Sequence, residues 1–84
     1  MTAVRVRAAI ISTDDEETRV RVVDVDGVAH DLATPSALLD GDWLEVGPPV
    51  ATNIVPARTL IEFPQIASTG KFRAWIAKEN LRND

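Results

Sequence analysis

The sequence predicts a mainly β fold: a small, strongly bent antiparallel barrel of five strands over residues 1–64, with a linker and a C-terminal α-helix in 65–84. Three observations carry this expectation. Apolar residues alternate with arginines at Val4, Val6, Ala8 and Ile10, and again at Val20 and Val22, the two-residue period of a half-buried strand. Turn chemistry recurs at short intervals, at Asp26-Gly27, Gly41 and Gly47-Pro48-Pro49. Finally, Phe72, Trp75 and Ile76 fall at i, i+3 and i+4, the apolar stripe of a helix.

Taken in order, the first strand carries Arg5 and Arg7 outward, and the polar run Ser12 to Thr18 is a hairpin tip. The second strand changes phase where Val22 and Val23 are adjacent, so a β-bulge is expected there. That shift would set Arg5 opposite Asp26 and Arg7 opposite Asp24 as cross-strand ion pairs. Asp26-Gly27 between Val25 and Val28 suits a two-residue type I′ turn, with Val28, His30 and Leu32 on the core face of a third strand over residues 28 to 33. Thr34 as cap, Pro35 at the first position and Gly41 past the end read as a one-turn helix near 35–40, its Leu38 or Leu39 plugging the core.

Asp42 to Val46 is a short strand with Leu44 and Val46 inward and Trp43 and Glu45 outward. Val50 to Val55 reads as a further strand segment, Pro56 to Thr59 as a brief helical turn or edge irregularity, and Leu60 to Phe63 as a closing strand. Ser68 or Thr69 would cap the last helix, which runs to about Arg82 despite Gly70 in its first turn. The layout resembles an SH3-like barrel, an analogy that carries no function with it.

Composition narrows the function classes. Eighty-four residues make one small core. With no cysteine there are no disulfides and no thiolate chemistry, which suits a reducing compartment. No apolar run approaches the ~20 residues needed to span a bilayer, and no secretory signal is visible. The chain is therefore expected to be soluble and cytoplasmic, with no membrane partner. A net charge of −4 disfavours general attachment to nucleic acid.

No enzyme motif emerges. There is no phosphate-cradling glycine loop, and with His30 the only histidine a nucleophile–base pair would have to join it to a distant serine. His30, in phase with Val28 and Leu32, reads as a partly buried structural residue. The carboxylates of Asp14 to Glu17 match no calcium loop. No catalytic residue, metal ligand, cofactor or small-molecule substrate is indicated.

The expected function is thus a non-catalytic protein-interaction or assembly module, binding a protein partner or a second copy of itself. Its candidate contacts are Trp43, the helix residues Phe72, Trp75, Ile76 and Leu81, and the acidic tip Asp14, Asp15, Glu16 and Glu17. The alternative is nucleic-acid binding through Arg5, Arg7, Arg19 and Arg21 on one outer face. That surface wants aromatics for stacking, and the first hairpin has none.

Overall fold

A computed structural model describes residues 3–55 and 57–83. Within these residues ten short strands form three antiparallel sheets: β1 (Arg5–Arg7), β2 (Ala9–Thr13), β3 (Glu17–Val23), β4 (Ala29–Pro35), β5 (Leu39–Asp40), β6 (Trp43–Glu45), β7 (Ala51–Asn53), β8 (Arg58–Glu62), β9 (Arg73–Ala77) and β10 (Leu81–Arg82). Their orders are β10-β1-β6-β5, β2-β3-β4 and β7-β8-β9. The expected barrel does not form. Its five strands divide among separate sheets whose ladders do not close on one another. Single backbone bonds join the second sheet to the third instead: Val25 N–H to Trp75 C=O at 2.9 Å, from the β3–β4 turn to β9, and Ser68 N–H to Asp31 C=O at 2.7 Å, from the β8–β9 loop to β4.

The division begins at Ala8. Its methyl is fully buried and its N–H bonds to Asp42, the last contact of the β1–β6 pairing before the chain leaves the first sheet. β1 pairs with β6 and β10, whereas β2 pairs with β3. The Arg5–Asp26 and Arg7–Asp24 pairs therefore do not exist. Arg7 meets Asp42 at 3.1 Å and Arg5 lies 3.9 Å from Asp40.

β3 is the most regular element. Thr18, Val20 and Val22 point inward and Arg19, Arg21 and Val23 outward, in unbroken register with β4 from Glu17–Pro35 to Val23–Ala29. The bulge expected at Val22-Val23 is absent from this ladder; a register shift lies between Ile10 and Ser12 in β2. The Asp26-Gly27 hairpin does join β3 to β4, but not through a type I′ turn, since no described residue other than glycine has positive φ. Gly27 N–H closes onto Asp24 C=O at 3.0 Å, and Gly27 itself takes φ 79°. This is a longer turn ending in a left-handed glycine bulge, and it leaves Val28 exposed.

The C-terminal α-helix is also overturned. Residues 73–77 form β9 against β8, followed by a 3₁₀ turn at Lys78–Asn80 and by β10 on β1. Two causes are visible. The intended caps are engaged elsewhere: Ser68 Oγ accepts Asp31 N–H, and Thr69 Oγ1 bonds to His30. And the sequence satisfies the strand period as well, with Ala74 and Ile76 inward, a pattern realised by pairing along β8. The earlier one-turn helix is a 3₁₀ turn, Ser36–Leu38, without a side-chain cap; Leu38 and Leu39 pack on the core as expected. Of the segment Pro56 to Thr59, Pro56 lies outside the described residues, and Arg58 and Thr59 belong to β8.

The core joins all three sheets. Val6 and Leu44 come from the first, Val20, Val22 and Leu32 from the second, and Ile61 and Ile76 from the third. Each such side chain contributes about 1.5–3 kcal/mol when fully buried.

Candidate functional site

With the barrel and helix gone, the surface that stands out is the outer edge of the second sheet. β2 is outermost in the order β2-β3-β4, and every one of its residues is exposed. Among the described residues its backbone bonds go to β3 alone. Its sequence, Ala-Ile-Ile-Ser-Thr, has no charge and no proline. Ile10 and Ile11 are 52% and 49% exposed. An unpaired strand edge is a template for another strand, and natural edges are commonly guarded by charge, proline or a bulge. Here the bulge at Ile11 is the sole guard among the three. The other long edges are better covered: β4 receives the reciprocal Ser68 bonds at Asp31, and β9 receives Val25 at Trp75.

The acidic tip caps one end of this edge. Asp14 N–H bonds to Glu17 C=O at 2.8 Å, Asp15 N–H bonds to Asp14 Oδ1 at 2.6 Å, and Ser36 N–H anchors the loop on Glu16 C=O at 3.0 Å. The carboxylates of Asp14, Asp15, Glu16 and Glu17 are thus presented on an ordered turn, with Arg19 beside them in a shallow polar hollow.

The four arginines do not share a face. Arg5 and Arg7 stand on the first sheet, Arg19 and Arg21 on the second. Most of their charge is locally offset. Asp31 takes Arg21 in a bidentate pair at 2.7 and 2.9 Å, which holds the Asp31 carboxyl below its ordinary range and raises Arg21. Trp43 is half-buried beneath two guanidinium groups, Arg7 at 4.6 Å and Arg82 at 5.2 Å from the ring centroid. Its cover is therefore cationic side chains from neighbouring strands.

The remaining contact candidates scatter. Ile76 is fully buried, Leu81 packs on the core, and Trp75 lies half-buried under Arg58 at 4.6 Å. Phe72 alone of that group is half exposed, with Arg73 stacked on it at 5.3 Å.

Sequence reading also missed a buried polar trio. His30 is 1% exposed, with Nε2 2.8 Å from Asp24 Oδ2 and Nδ1 2.7 Å from Thr69 Oγ1. With a single ring proton, Nε2–H donates to the carboxylate and Nδ1 accepts the threonine hydroxyl. Burial pulls the Asp24 carboxyl upward. Hydrogen bonds from His30 and from the N–H groups of Val28 and Asp26 outweigh that and hold it below the usual carboxylate range. Hydroxyl, imidazole and carboxylate stand in the order used for nucleophilic catalysis, beside a cleft of about 260 Å³ rimmed by Lys71, Arg73 and Trp75. The imidazole is nevertheless sealed from solvent and stacked obliquely on Phe63 at 5.4 Å. The trio clamps the loop after β8 onto β4 and the β3–β4 turn.

Among the described residues no cluster of histidine or carboxylate groups could hold a metal ion, and no helix is long and apolar enough to cross a membrane. No protein-family model, no curated protein and no solved structure matches this chain.

Proposed function

We propose that the chain is a non-catalytic protein-interaction or assembly module that works by strand addition at β2, beside its acidic tip. The single observation behind this reading is the exposed, uncharged β2 edge with two adjacent isoleucines half in water. An added strand gains main-chain hydrogen bonds from such an edge, and desolvating Ile10 and Ile11 adds apolar burial. The carboxylates of Asp14 to Glu17 favour a partner segment with a basic end. The lack of cysteine suits a cytoplasmic setting.

The test places a photo-crosslinking residue at position 11 and, separately, at exposed Lys78. Adducts should form from position 11 and not from 78. On binding, the amides of Ala9 to Thr13 should become protected from hydrogen exchange. Equal labelling at both positions, or no adduct at position 11, refutes the reading.

A further inference from the structure

Resting on that reading, we propose that the strand added to β2 is the β2 of a second copy of this chain, paired antiparallel about a two-fold axis at Ile11. The argument is one of charge along the edge. Two residues before β2 stands Arg7, the last residue of β1, and directly after β2 comes the run Asp14 to Glu17; between them lie only uncharged residues. Parallel pairing of two such edges would set arginine against arginine and carboxylates against carboxylates. Antiparallel pairing does the reverse. With Ile11 opposite the partner's Ile11, Ile10 meets the partner's Ser12, Ala9 meets the partner's Thr13, and Arg7 reaches the partner's Asp15. The two-fold repeats each contact, as an isologous interface requires.

Both charged groups are available for it. Arg7 is about half exposed, and its ion pair with Asp42 is also about half in water, so exchanging that carboxylate for another costs little, while loosening its stack on Trp43 costs about 0.5–1 kcal/mol, roughly two- to fivefold in affinity. Asp15 is exposed on an ordered turn.

The same features limit the strength of the dimer. Ala8 already gives its N–H to Asp42, so pairing is confined to Ala9 to Thr13, and the bulge at Ile11 twists that run. An edge of five residues buries less than the ~800 Å² per partner of a standard stable interface. The association is therefore concentration-dependent and salt-sensitive rather than permanent.

Sedimentation velocity and light scattering over a concentration series, at low and moderate salt, read it out. The unaltered chain should pass from monomer to dimer, more weakly as salt rises. Ile11→Lys, which sets two like charges on the axis, should weaken the dimer about tenfold. Arg7→Glu alone and Asp15→Arg alone should each weaken it, and their equimolar mixture should recover the original affinity as a heterodimer. That recovery separates a charge effect from a folding defect, since Arg7→Glu also leaves the Trp43 stack.

A chain monomeric at every concentration overturns the proposal, as does a mixture that associates no better than either variant. If that monomer still gives adducts from position 11 to another protein, the second copy is ruled out and the interaction module stands. A monomer without such adducts overturns both.

Discussion

Thr69→Val tests the clamp around His30 most directly. The substitution keeps side-chain volume nearly constant and removes the one hydroxyl that meets Nδ1 at 2.7 Å. The imidazole is 1% exposed, so the orphaned nitrogen has no ready route to water. Leaving such a buried group unsatisfied costs about 1–3 kcal/mol. In a domain of this size each kcal/mol lowers Tm by about 4–8 °C. The expected loss is therefore about 4–24 °C, read by urea and thermal unfolding through the emission of Trp43 and Trp75. Asp24→Asn removes the charge at the opposite ring nitrogen and should cost about 1.5–3 kcal/mol. The two residues act through the same ring, so the double variant should be non-additive by at least about 0.5 kcal/mol. A cost for Thr69→Val below about 0.5 kcal/mol, together with additivity, would sink the reasoning, because solvent would then be reaching the imidazole.

Acid should destabilise the chain in a defined direction. The Asp24 carboxyl sits lower in the folded than in the unfolded state, so its contribution is full above about pH 4 and fades as pH falls further, where the unfolded chain binds more protons. Urea titrations at pH 6, 4 and 3 should show that loss, reduced in Asp24→Asn. Thr34 is fully buried, and its Oγ1 finds no partner among the described residues, so Thr34→Val should be neutral or stabilising by up to about 1 kcal/mol in the same assay. Gly27→Ala meets no steric obstacle, yet its φ of 79° should still cost about 1 kcal/mol, measured as a lower urea midpoint. Arg82→Ala removes one of the two guanidinium groups over Trp43 and should red-shift its emission, with at least about 0.5–1 kcal/mol lost.

What could be read from the sequence was local. The inward faces of Val20 and Val22 in β3 and of His30 and Leu32 in β4 were legible, whereas the phase change expected at Val22-Val23 and the inward Val28 are absent. The break between β1 and β2 was not legible. Ala8 continues the two-residue period, and the change of partner strand across it, from β6 to β3, is set by non-local pairing. That same alternation placed Ile10 inside, although the doubled Ala8-Ala9 and Ile10-Ile11 already carried the signal of an extra residue in the ladder. In the C-terminal segment, Phe72, Trp75 and Ile76 fit a helical stripe while Ala74 and Ile76 fit a strand face. No residue in that segment arbitrates; pairing with β8, the central strand of the third sheet, does. As for the His30 trio, its three members span the chain from Asp24 to Thr69, and no spacing rule joins them.

The pairing of β1 with β10 also bears on the order of folding. Arg5 faces Arg82 and Val6 faces Leu81, so strands from opposite ends of the described chain complete one sheet. Contacts at such separation incur nearly the whole loop-closure entropy before they return anything. The β2–β3–β4 meander, built from neighbours in sequence, is suited to assembling early. During synthesis, β1 must wait with one flank unpaired until the final strand emerges from the ribosome. In that interval the nascent chain exposes a second hydrogen-bonding rim besides β2, and this is the stage at which crowded copies are most prone to tangle.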